Sequence, residues 1–134
     1  MQNAKYSYHF SLHLHFRKDV NVEAVENHFG IKAHKKTDFN DFKGKEKMAK
    51  LWYRTKEFTD VNTHLVLEKY AQKMATNFKD LKDFLASNDG NAIFTLYFTS
   101  AKERPIIELT PATIDIFQKL GLSFEVDFRS WKLT

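Results

Sequence analysis

Residues 6–16 alternate without a break: Tyr6, Tyr8, Phe10, Leu12, Leu14 and Phe16 are interleaved with Ser7, His9, Ser11, His13 and His15. Successive side chains leave a pleated strand on opposite sides, so this spacing predicts a strand with one dry and one wet face. The constraint is strong. An apolar row of that length must be covered on one side, and a parallel sheet buried on both faces would instead read as continuous apolar runs. The expectation is therefore an α+β fold with helices on a single face of the sheet. At 134 residues the chain is one domain, spanning 1–134. Its 13 Phe, 5 Tyr and 2 Trp supply the bulk for a core. With no Cys, thiol nucleophiles, disulfides, iron–sulfur clusters and cysteine-based zinc sites are excluded.

The remaining elements follow from caps and periodicity. Asp19 or Asn21 caps a short helix with Val22, Val25 and Phe29 on one face and Gly30 as its stop. Residues 31–48 have no period and read as a long loop. A second strand runs from Ala49 to Lys56. A helical pattern from Asp60 to Leu85 follows, open to a kink or division at the weak helix formers Thr76 and Asn77. Asn88-Asp89-Gly90-Asn91 is a turn, Ala92–Thr99 a third strand, and Ile106–Leu109 a short fourth. Thr110 caps a helix whose first residue is Pro111 and whose stop is Gly121, and an alternating strand begins at Leu122. The order is β-α-β-α-β-β-α-β: a mostly antiparallel five-stranded sheet. Two similar helix exits, Phe29-Gly30-Ile31 and Leu120-Gly121-Leu122, lend it a ferredoxin-like character.

The run from Leu109-Thr110-Pro111 through Leu120-Gly121-Leu122 to Phe124-Glu125-Val126-Asp127-Phe128 resembles the C-terminal signature of a bacterial family named domain of unknown function 4279. Phe29-Gly30-Ile31 ahead of a basic loop containing Gly44, then Trp52, then His64-Leu65, are similar as well. The family often carries a Pro-Thr pair after the first helix, where this chain has Ala33-His34. The family is functionally uncharacterised, so the resemblance implies a fold. It implies no activity.

Three constellations carry chemistry. His13 and His15, with His9, lie on the wet face of the first strand, and His-x-His places two imidazoles about 7 Å apart, near enough to share a divalent metal. Glu125 or Asp127 would be the third ligand if the last strand lay alongside. The plainer reading is three polar residues on the wet side of a strand, so no metal is assigned. The second constellation is residues 32–56, with nine basic residues against three acidic, a net of +6 in a chain whose total is +4. Lys35, Lys36, Lys43, Lys45 and Arg54 interleave with Phe39, Phe42, Trp52 and Tyr53, a pattern that attracts phosphates or an acidic protein surface. Its plainer reading is a solvated loop whose Phe residues fold back on the core. The third is the open sheet face, on which in-register strands would gather His13, His15, Trp52, Arg54, Thr95, Tyr97, Glu125, Asp127 and Arg129.

No nucleophile elbow, phosphate-cradling glycine loop or zinc-protease motif is present. The N-terminal Met1–Lys5 has no signal-peptide character and no run approaches eighteen apolar residues, so the expectation is a cytoplasmic protein without a membrane partner. The first reading is a non-catalytic protein-binding module, by analogy of immunity or inhibitor type, needing no cofactor and existing as a monomer or homodimer. Lys35, Lys36, Lys43, Lys45, Trp52, Arg54 and Tyr97 are its candidate binding residues. The alternative is a nucleic-acid-binding domain using the Lys-rich segment 32–56, and a metal-dependent enzyme built on His13 and His15 is third.

Overall fold

A computed structural model describes residues 6–59, 62–100 and 107–130. The elements are β1 (Tyr6–Phe16), α1 (Val22–Phe29), β2 (Lys35–Thr37), a 3-10 turn at Phe39–Asp41, β3 (Ala49–Arg54), α2 (Thr63–Asn77), α3 (Leu81–Ser87), β4 (Gly90–Ser100), α4 (Pro111–Leu120) and β5 (Leu122–Ser130). They build one five-stranded sheet ordered β2-β3-β1-β4-β5. All neighbours are antiparallel except β4 and β5, which run parallel with α4 as their crossover. The fold is α+β, as the alternation of residues 6–16 predicts.

Local chemistry sets the helix ends. Asn21 accepts hydrogen bonds from the N–H groups of Glu23 and Ala24 at 2.9 and 3.1 Å, choosing between the two candidate caps of α1. Thr110 Oγ1 accepts from the Thr113 N–H at 3.2 Å, and Pro111 fills the first position of α4. Gly30 and Gly121 both sit at φ 71°, where a side chain would be strained, and each ends its helix. The long helical pattern divides after Asn77, and α3 starts at Leu81.

The dry row of β1, from Tyr8 to Phe16, is fully buried together with Leu51, Phe94, Leu96 and Phe98 from its neighbours. Leu67, Ala71 and Met74 of α2, Leu81 and Leu85 of α3, and Phe117 and Leu120 of α4 close over it. Phe94 is central, its ring 5.7 Å from Phe10, 5.0 Å from Phe117 and 6.1 Å from Phe124. The four helices occupy this side. Among the described residues no element crosses the other.

The element order needs two corrections. Lys35–Thr37, within the segment read as loop, is strand β2, paired with Thr37 opposite Lys50 and Lys35 opposite Trp52. It has no apolar alternation because Lys36, facing the helices, is neutralised there by a carboxylate: Glu26 on α1 accepts from Lys36 Nζ at 2.8 Å and from the Ala33 N–H at 2.7 Å. Conversely, residues 107–109 are irregular, and Ile106 lies outside the described residues. Ile107 and Leu109 lean on the core, and Thr110 donates to Glu68 of α2. Their alternation reflects contact with the helical layer. The two similar helix exits both follow a helix that connects parallel strands: α1 carries the chain from β1 to β2, with β3 between them, and α4 carries it from β4 to the adjacent β5.

Candidate functional site: the open face of the sheet

Strand register decides what the uncovered face displays. One cross-strand level carries Lys35, Trp52, His13, Ile93 and Ser123, and the next toward the start of β1 carries Arg54, Ser11, Thr95 and Glu125. Beyond that lie His9, Tyr97 and Asp127, and on the other side Thr37, Lys50, His15 and Asn91. Lys35, Trp52, Arg54 and Tyr97 therefore share a face with His13 and His15. Lys36 does not: antiparallel pairing puts it opposite Leu51, on the helix side. Lys43 and Lys45 project from the exposed loop between the 3-10 turn and β3. In that loop Phe42 packs under Lys50, whose Nζ lies 4.9 Å from the ring, while Phe39 turns into the core.

Two shallow clefts meet at the histidines. One, of about 320 Å³, is lined by His13, His15, Lys35, Lys50, Trp52 and Tyr97. The other, of about 610 Å³, adds Ile93, Glu125 and Asp127 to the same His13, His15 and Tyr97. The trough is thus basic over β2 and β3, aromatic and imidazole-lined in the middle, and acidic over β5. Neither Lys35 nor Lys50 is ion-paired with a carboxylate among the described residues. Arg54 reaches Glu57 at 3.5 Å, and Arg129 reaches Asp127 at the same distance.

The rings are already engaged. Lys35 Nζ and the Arg54 guanidinium lie 5.3 and 5.7 Å from the Trp52 ring, and His13 and His34 approach it at 6.1 and 6.3 Å. The Trp52 indole N–H is buried and has no acceptor among the described residues. Tyr97 stacks on His9 at 4.7 Å, and His9 Nδ1 contacts Glu57 at 2.6 Å. His13 Nε2 is 3.0 Å from Ser11 Oγ and 3.4 Å from the Tyr97 hydroxyl.

Burial, then the Lys50 charge, holds His13 below the ordinary imidazole range. The same causes, with His13 added, hold His15 at about 4. His9 is also lowered, its burial outweighing the neighbouring Glu57 carboxylate. These imidazoles are neutral at pH 7, the form that ligates metal. The His13 and His15 rings stand 6.1 Å apart, near enough to share an ion, but no group of three potential ligands forms among the described residues. The other histidines are elsewhere: His28 contacts Asp80 at 2.8 Å, and His34 Nδ1 accepts from the Arg54 N–H at 3.3 Å.

The in-register grouping of the wet-face residues was readable from alternation. The Glu57–His9–Tyr97 cluster was not, because Glu57 lies past the end of β3 and reaches its partners only through the turn there. Comparisons with family models, with curated proteins and with solved structures find no match for this chain. Among the described residues no helix is long and apolar enough to cross a membrane.

Proposed function

We propose that this chain is a non-catalytic protein-binding module whose open sheet face docks an acidic protein surface against the β2–β3 half. The carrying observation is the group of Lys35, Lys50 and Arg54 beside Trp52 on a face that no described element covers, with two of the three cations lacking a carboxylate partner among the described residues. Trp and Tyr at the centre of such a face suit the core of a protein interface.

Two features weigh against a nucleic-acid strand. Base stacking needs free ring faces, whereas Trp52 and Tyr97 are already flanked by cations and imidazoles. Glu125 and Asp127 on the same face would repel phosphates.

The test uses defined probes: a fluorescein-labelled peptide alternating Glu with apolar residues, and an oligothymidylate of equal length, followed by anisotropy at about 50 mM salt. Peptide binding that is lost in Lys35→Glu/Lys50→Glu supports the reading. Tighter binding of the oligothymidylate, or peptide affinity unchanged in the double variant, overturns it.

A further inference from the structure

Opposite charges at the two ends of one face have a geometric consequence. The strand order places β1 in the middle, with basic β3 and β2 on one side and β4 and acidic β5 on the other. We infer that the acidic surface is supplied by a second copy of this chain, docked face to face about a two-fold axis running along β1. The inference rests on the docking reading above and names its partner.

Rotation about that axis lays β2 over β5 of the second copy and β3 over its β4, while preserving the level along the strands. Lys35 then sits above Ser123 of the second copy, and Arg54 sits one level on, above Thr95. Glu125 of the second copy then lies on the Arg54 level, one strand over from Arg54 and about 6.8 Å along the strand direction from Lys35, within reach of both long side chains. The contact is isologous, so it forms twice. An axis across the strands would instead set β2 on β2 and β5 on β5, like charge on like. The charges choose the first arrangement.

The centre of the face is suited to being covered. Ser11 is fully buried and Thr95 5% exposed, while His13, His15, Trp52 and Tyr97 are half-buried within a single chain. The axis strand brings its imidazoles against those of its copy, and they are uncharged at pH 7.

Four strand spacings of about 4.8 Å and nine residues of about 3.3 Å give a face on the order of 500 Å² per partner. Twice that, about 1,000 Å², is the lower bound for a specific interface. An interface of that size suits a weak, reversible dimer and not an obligate one.

Sedimentation equilibrium from about 5 µM to 1 mM, at low and high salt, tests this. The expected result is a monomer–dimer equilibrium, weakened about tenfold or more by Lys35→Glu/Arg54→Glu and likewise by Glu125→Lys/Asp127→Lys. Mixing the two double variants should restore a 1:1 dimer, because each then carries one sign on both halves of its face. Far-UV circular dichroism and melting of each variant confirm that it folds. A wild-type chain that stays monomeric at 1 mM overturns the inference, as does a folded variant pair that fails to associate when mixed. In either case the acidic-peptide measurement decides the docking reading separately.

Discussion

Glu26→Ala should loosen β2 and, with it, the basic edge of the open face. The Glu26 carboxylate is 6% exposed and accepts a 2.7 Å hydrogen bond from the Ala33 N–H, fixing the chain where it turns from α1 into β2. A hydrogen bond to a charged acceptor contributes about 1.5–3 kcal/mol. The second contact, to the exposed Lys36 ammonium, is screened by water and adds little. Loss of the carboxylate should therefore cost about 2 kcal/mol, a fall in Tm of roughly 5–10 °C for a domain this size. Hydrogen bonding to Lys36 and then to Ala33 holds the Glu26 carboxyl below its ordinary value of 4.5. The sign follows from linkage: a lowered carboxyl contributes its full stabilisation above about 4.5 and loses it as pH falls through its lower folded value. Urea denaturation at pH 7 and at pH 3 measures both effects, and amide exchange at Lys35–Thr37 reports whether β2 detaches. A variant with an unchanged midpoint at pH 7, or with β2 amides as protected as in the wild type, would refute the reasoning.

Four further outcomes are expected. Phe94→Ala removes the ring that touches Phe10, Phe117 and Phe124 in a site with no exposure, and should cost about 3–5 kcal/mol in urea denaturation with little change in m. Gly121→Ala must hold a side chain at φ 71° with the Lys82 Cγ 3.2 Å away, and should cost roughly 1 kcal/mol by the same measurement. His15 at about 4, against an ordinary 6.5, binds its proton more readily unfolded than folded, so it makes stability fall as pH drops from 6.5 toward 4. His15→Gln should flatten that slope in melts across the window. The same acidification should weaken self-association, because protonated His9, His13 and His15 would meet their copies beside Lys35, Lys50, Arg54 and Arg129, with Glu57, Glu125 and Asp127 to offset them; sedimentation in steps from pH 7 down to pH 4 reads this.

The elements that could be read from sequence are those whose residues interact mostly with their own segment or with apolar surface. The eleven-residue alternation of β1 and the Thr110-Pro111 start and Gly121 stop of α4 are local signals, and both elements lie where they were expected. β2 was invisible for the opposite reason. Its inward residue is Lys36, which makes sense only once Glu26, ten residues earlier, is known to be beneath it. Ile107–Leu109 misled because leaning on a helical layer and pairing in a sheet leave the same apolar imprint. The candidate cations divided along the same line. Arg54 and Trp52 share a face by the alternation of β3, but Lys35 and Lys36 lay in a segment read as loop, so nothing in the sequence showed that Lys36 faces the other way.

The position of β1 also bears on synthesis. It is the first of the described strands, yet one of its two hydrogen-bonded neighbours is β4, with Tyr8 paired to Phe98 and Phe16 to Gly90. At roughly 5–20 residues per second, a ribosome needs several seconds after β1 emerges before β4 follows. During that interval a row of aromatic and aliphatic side chains, with one strand edge unsatisfied, has no β4 to pair with. Such non-local pairing slows folding, so the apolar row stays exposed to unwanted contacts until the ninetieth-odd residue is free.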